Sequence, residues 1–164
     1  MSQTTIVFSN GKDAKTWFAV NDDVMGGVSE SYVEQLENAV RFQGVVRTEN
    51  NGGFASMRKE VASVKVVLEH AEVQLTVRGD GQTYECRFRM NDSRLSYAHT
   101  FQTKAGEITS FLLPVKDFKP SFRGRKFDVD EVGYLDVGRF KELGILIANK
   151  QTGPFQIDVM HVSL

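Results

Sequence analysis

From Thr83 to Met90 the chain alternates strictly: Tyr84, Cys86, Phe88 and Met90 share one side of an extended backbone, and Glu85, Arg87 and Arg89 share the other. At helical spacing the same residues would scatter around the whole circumference, so this segment is a strand with one dry and one wet face. A dry face needs a second layer to cover it. The carboxyl-terminal stretch repeats the design, with Phe155, Ile157, Val159 and His161 on one face and Gln156 and Asp158 opposite, before Met160, Val162 and Leu164 add apolar groups to the second face. Further strands are expected at Thr5–Phe8, Val40–Thr48, Phe54–Arg58, Val64–Glu69, Glu72–Val77, Ser96–Thr103, Ile108–Leu113 and Leu143–Ile147. Short strands between glycine-bearing turns predict an all-β sandwich or barrel with few or no long helices.

Ser31–Ala39 offers the competing helix, because Ser31 and Glu34 have the spacing of a capping box. Tyr32, Glu34 and Leu36 read equally well with period two, and Glu37-Asn38 can reverse the chain into Val40, Phe42 and Val45, so a hairpin is expected instead. A helical turn is expected near Gly138–Leu143, where Phe140 and Leu143 stand three apart. Pro114–Asp130 is the least regular stretch and too long for a tight hairpin loop. With 164 residues, no repeat and no linker-like tract, residues 1–164 are read as one domain. A chain of this length buries roughly 70% of its unfolded surface, enough for a core without staples.

Twenty lysines and arginines stand against 21 aspartates and glutamates, a net charge of -1, which supplies no global field for nucleic acid or anionic membrane. Strong binding to either is not expected. The single cysteine, Cys86, excludes an intrachain disulfide and reads as a small buried hydrophobe. Met1–Trp17 carries only Lys12 and Lys15 as cations and no apolar run resembling a targeting segment, so a cytoplasmic location is expected.

Three polar clusters interrupt the strands. Asn21-Asp22-Asp23-Val24-Met25-Gly26-Gly27-Val28-Ser29 follows Trp17, Asn51-Gly52-Gly53 opens a strand, and Arg78-Gly79-Asp80-Gly81 leads to Tyr84. Paired glycines free the backbone, and Asn and Asp side chains accept from loop amides. Trp17, Asn21, Asp22, Asp23, Met25, Gly26, Gly27, Ser29, Gly52, Gly53, Arg78, Asp80 and Tyr84 are therefore either a binding loop cluster or a structural corner. Gly79–Gly81 is expected to close a hairpin, and Arg78 to pair with a loop aspartate. Between Lys116 and Phe127 basic and aromatic residues interleave; Lys119, Phe122, Arg123, Arg125 and Lys126 form a candidate partner surface. The competing arrangement tucks Phe118, Phe122 and Phe127 under the sheet and leaves the cations solvated.

These clusters, with Phe42-Gln43-Gly44, Phe54-Ala55-Ser56, Leu113-Pro114, Phe118-Lys119-Pro120, Phe122-Arg123-Gly124 and Lys150-Gln151-Thr152-Gly153-Pro154-Phe155, resemble the complex I intermediate-associated protein family from Phe8 to Val162. The resemblance is to a free-standing, bacterial-type member without a mitochondrial extension. It implies a galactose-binding-domain-like β-sandwich of jelly-roll type. It also implies a chaperone-like role in assembling respiratory NADH:ubiquinone oxidoreductase, with respiratory-complex subunits as clients. The family offers no catalytic residue to carry over, and fold alone does not transfer the client.

The residues themselves give no catalytic constellation. His70, His99 and His161 form no metal-helix pair, Gly27-Val28-Ser29-Glu30-Ser31 stops short of a nucleophile elbow, and Gly79-Asp80-Gly81 lacks a phosphate-loop lysine. Asn21, Asp22 and Asp23 could offer oxygens to calcium, but EF-hand spacing is absent and no metal or cofactor is assigned. A non-enzymatic module recognising protein surfaces is the leading expectation. A carbohydrate-binding module using Trp17, Tyr84 and Tyr97 as stacking platforms is the alternative, and a hydrolase or metal enzyme built on Asp22 and Asp23 is a third.

Overall fold

In the computed structural model, residues 6–21, 30–46, 55–63, 71–122, 125–147 and 153–164 are described. They form β1 (Val7–Ser9), β2 (Phe18–Asn21), β3 (Glu30–Gln35), β4 (Val40–Val46), β5 (Ala55–Glu60), β6 (Glu72–Arg78), β7 (Thr83–Met90), β8 (Ser96–Gln102), β9 (Ile108–Pro114), β10 (Lys119–Phe122), β11 (Arg125–Lys126), β12 (Phe140–Ile147) and β13 (Gly153–Ser163). One sheet runs β3-β4-β13-β6-β9, with β1 also on β13, and the other runs β11-β10-β8-β7-β12-β5-β2. Every strand pairing is antiparallel. This is a galactose-binding-like β-sandwich.

The dry faces meet as expected. Tyr84, Cys86 and Phe88 of β7 are fully buried, as are Leu75 and Val77 of β6 and Ile157 and Val159 of β13. Rings cross between the layers: Phe8 of β1 lies 5.7 Å from both Phe88 and Phe140, and Phe101 lies 5.2 Å from Phe111. Phe88 stacks on Phe140 at 4.3 Å and 13°. Such ring pairs add about 0.5–1.5 kcal/mol beyond their buried area.

The hairpin replaces the helix at Ser31–Ala39: β3 and β4 pair from Glu30↔Val45 to Gln35↔Val40, and Gln35 Nε2 donates to the Leu36 and Ala39 carbonyls. Two irregularities revise the expected faces. A bulge between Phe140 and Glu142 lets Phe140 and Leu143 both point inward, so their three-residue spacing belongs to a strand and not to a helical turn. The turn itself occupies Val137–Arg139, capped by Asp136, which accepts from the Gly138 amide at 2.9 Å. A second bulge, between Val159 and His161, turns Val162 into the core and His161 out of line with Ile157. The stretch 114–130 proves more regular than expected, holding a short 3-10 turn and β10 and β11. The strand expected at 64–69 lies outside the described residues.

Gly79–Gly81 closes no hairpin. It carries the chain from β6 in one sheet to β7 in the other. Gly79 allows the crossover because a Cβ there would lie 2.1 Å from the Thr103 side chain, and the Asp80 carboxylate fastens it as described below.

Candidate functional site

The strands first fix where the expected loop cluster attaches. Asn21, Ala55, Ile147 and Tyr84 are successive register partners across β2, β5, β12 and β7. The strand ends bordering residues 22–29, 47–54 and 148–152 therefore include one such row at one end of the sheet. Asp22, Asp23, Met25, Gly26, Gly27, Ser29, Gly52, Gly53 and Arg123 lie outside the described residues, and of Asn21 only the backbone position is described.

The described members of that cluster do structural work. Trp17 is 5% exposed, and its indole N–H donates to Ser9 Oγ at 3.4 Å. Tyr84 is fully buried, its hydroxyl donating to Asp80 Oδ1 at 2.9 Å. Asp80 also accepts from the Gln82 amide at 3.1 Å and, through Oδ2, from the Gln156 amide at 2.8 Å, tying the crossover to β13. Arg78 does not pair with a described aspartate. It faces Asp158 in register, but Arg41 on the other flank takes both oxygens of that buried carboxylate, at 2.8 and 3.1 Å. Tyr97 is buried too, donating to the Gly133 carbonyl at 2.8 Å. None of the three aromatics can serve as a sugar-stacking platform, because all are buried: strand alternation turns Tyr84 and Tyr97 into the core, and Trp17, between the 3-10 turn Ala14–Thr16 and β2, packs there too.

Burial pushes the Cys86 thiol up, and burial together with the Asp80 carboxylate pushes the Tyr84 hydroxyl up. Both are held neutral in the fold, whereas an unfolded chain ionises them near about 8.5 and about 10. Their contribution to stability is whole below about pH 8.5 and lost as pH rises. Urea unfolding at stepped pH is expected to show stability declining from about pH 8.5 upward, with Cys86→Ala flattening the first part of the decline. A wild-type curve flat to about pH 10.5 would contradict this.

Among the described residues no group of three or more His, Cys, Asp or Glu side chains is placed to hold a metal ion. His99 Nδ1 lies 2.7 Å from the Thr100 carbonyl, and its ring meets Phe118 edge-on at 5.5 Å.

The candidate partner surface splits by residue. Phe118 is buried, Phe122 is half-buried, and Lys119, Arg125 and Lys126 are exposed along the β10–β11 edge of the seven-stranded sheet. The Arg125 guanidinium sits 5.0 Å from the Phe127 ring.

Phe122 instead forms one wall of a groove of about 260 Å³ on the outer face of that sheet. Its other walls are Arg58 of β5, Arg87 and Arg89 of β7, Arg94 and Glu142, and its floor is Gly144 and Leu146 of β12. Period two puts these side chains outward wherever Met57, Cys86, Phe88 and Ile145 go inward. Arg58 and Arg87 are both register partners of Gly144, so they stand on either side of a position with no side chain. Arg87 Nη2 donates to Glu85 at 2.7 Å, Arg58 Nε donates to Ser56 Oγ at 3.1 Å, and Arg58 Nη1 stands 3.9 Å from Glu142. Desolvation pushes the Arg58 guanidinium down, with Arg87 and Arg89 adding to the effect against Glu142. The sequence alone does not announce this groove. The outward charges of β7 were visible, but their convergence over Gly144 depends on register with β12, which local sequence does not carry.

The sequence profile of the family described as Complex I intermediate-associated protein 30 (CIA30) matches residues 6–159. A comparison with curated protein sequences gives no match. Among solved structures, a family 11 carbohydrate-binding module from Clostridium thermocellum, in complex with a β-1,3-1,4-mixed-linked tetrasaccharide, superposes with TM-score 0.67 at 9% identity, covering 98% of this chain and 94% of that one. The family 11 module of the cellulosomal cellulase Lic26A-Cel5E from the same organism gives 0.69 at 8% identity, with 100% and 95% covered. The family 30 module of the Clostridium thermocellum cellulase Cel9D-Cel44B gives 0.62 at 8%, with 98% and 96% covered. At such identities the likeness concerns the fold alone.

Proposed function

Because the chain belongs to the complex I intermediate-associated protein 30 family, we propose that it is a non-enzymatic binding module that engages protein clients, with subunits of respiratory NADH:ubiquinone oxidoreductase as its class of partner. The observation that carries this reading is the groove over Gly144. There charged side chains project from paired strands, so the surface is pre-organised and little ordering is needed on binding. Arginine and aromatic side chains are also what protein interfaces favour.

The test is crosslinking capture by the full chain from a respiring lysate, with a chain unfolded by heat as control. Recovery of respiratory-complex subunits by the folded chain alone is expected. Recovery of none under efficient crosslinking would sink the reading.

A carbohydrate ligand is supported by the fold of the neighbours, and the burial of Trp17, Tyr84 and Tyr97 weighs against it. A glycan array is expected to stay blank.

A further inference from the structure

We propose that the groove over Gly144 is a carboxylate-binding site that takes an extended acidic segment of a protein client; this rests on the protein-binding reading above. The first argument is vacancy. A Cβ built on Gly144 would lie 3.6 Å from the Met57 carbonyl oxygen, 3.7 Å from Arg58 Cγ and 3.9 Å from Arg87 Cβ. Those are ordinary contacts, so the space between the two arginine stems admits a methyl group without a clash, and this chain supplies none.

The second argument is charge. Four arginines and one glutamate line the groove of a chain whose net charge is -1. Glu85 engages Arg87 and Glu142 stands loosely by Arg58, while no ion pair joins Arg89 or Arg94 to a described carboxylate. Desolvation is what chiefly pushes the Arg58 guanidinium down, and Arg87 and Arg89 add to it by repulsion against Glu142; an incoming anion relieves that repulsion.

The third argument is an unused donor. Arg87 Nε is buried and has no hydrogen-bond partner among the described residues. Buried donors are nearly always satisfied, and nothing from the groove reaches this one as it stands, so an acceptor there satisfies it only when the Arg87 side chain turns toward the groove it lines. Guanidinium edges match carboxylate oxygens in a planar, paired geometry. Leu146, only 4% exposed on this same outer face, gives the floor an apolar stretch that strengthens such bonds.

Extent decides between a small ion and a chain. The lining runs from Arg58 of β5 through Gly144 of β12, Arg87 of β7 and Ser96 of β8 to Phe122 of β10, five neighbouring strands, which is about 19 Å at the usual spacing. A lone phosphate occupies a fraction of that length, whereas successive carboxylates of an extended peptide follow it.

The test uses the full chain and a fluorescein-labelled hexaglutamate peptide, read by anisotropy at low salt. Arg87→Gln with Arg89→Gln is expected to weaken binding at least about tenfold, whereas Lys12→Gln with Lys104→Gln, exposed lysines outside the groove, shifts it within about twofold. Gly144→Glu places a carboxylate between Arg58 and Arg87, and it is expected to block the peptide to a similar degree while melting no lower than wild type. Its fold therefore checks itself. Equal losses in the lysine control, unchanged affinity in the groove variants, or tighter binding of oligothymidylate or inorganic phosphate than of the peptide would each overturn the proposal. If groove variants still capture the crosslinked client, the acidic-segment proposal fails and the protein-binding reading stands. If wild type binds the peptide through the groove yet captures no client, the site stands and the client reading fails.

Discussion

Asp13→Ala is expected to lower the stability of the fold by about 3 kcal/mol or more, because it strands a buried cation. Lys59 lies on the inward side of β5, opposite Leu143, and is 8% exposed. Its ammonium donates to the Phe8 carbonyl and to Asp13 Oδ2, the latter at 2.7 Å, and sits 5.9 Å from the centre of the Trp17 ring. Asp13 Oδ1 accepts from Ser9 Oγ at 2.9 Å, and Ser9 Oγ in turn accepts from the Trp17 indole. A charge this far from water needs its counter-charge, and a carbonyl and a ring face do not replace a carboxylate. Removing both partners is another matter. Asp13→Ala with Lys59→Met fills the same space without a desolvated ion and is expected to recover more than half of the loss. Urea unfolding of the two single variants and the double variant reads the coupling directly; a double variant as unstable as the sum of the singles would show that no coupling exists.

The same network shows what a sequence can carry. The alternation at Tyr84–Met90 and the hairpin at Ser31–Ala39 were legible because periodicity and turn chemistry are local. Phe140 and His161 were misread because a bulge adds one residue to a strand and flips the faces beyond it, and nothing in the side chains at Lys141 or Met160 announces that. Lys59 stands in a period-two pattern where an apolar residue would be expected, yet only the approach of Asp13, Phe8 and Trp17 from distant segments makes it tolerable. Trp17, Asp80 and Tyr84 were marked by residue type, but residue type does not tell a corner that satisfies its own backbone from a surface that awaits a ligand. The groove has the opposite history. Each of its arginines is unremarkable alone, and only the register of β5, β12 and β7 makes them neighbours across a glycine.

Two strand glycines then separate close approach from ordinary contact. Gly44 is paired with Ser31 on one side and Phe155 on the other, and a Cβ there would fall 1.9 Å from the Glu30 carbonyl oxygen and 2.8 Å from Ser31 Cα. Both atoms are backbone, so no rotamer change makes room and β3 must move. Because β3 stands next to β4 at the end of its sheet among the described residues, displacement costs that pairing while the rest of the sandwich keeps its core. Gly44→Ala is therefore expected to cost about 3 kcal/mol, at the upper end for forcing extra volume into a packed site. Amide hydrogen exchange should locate the damage, with protection lost across Glu30–Gln35 and retained in β7 and β12. Gly144→Ala makes the opposite case. Its added methyl meets only ordinary contacts and restricts the unfolded chain, so stability is expected to hold or to rise by about 0.4–1 kcal/mol. If both alanines behave alike, the tight approach of β3 to β4 at Gly44 is not what the fold depends on there.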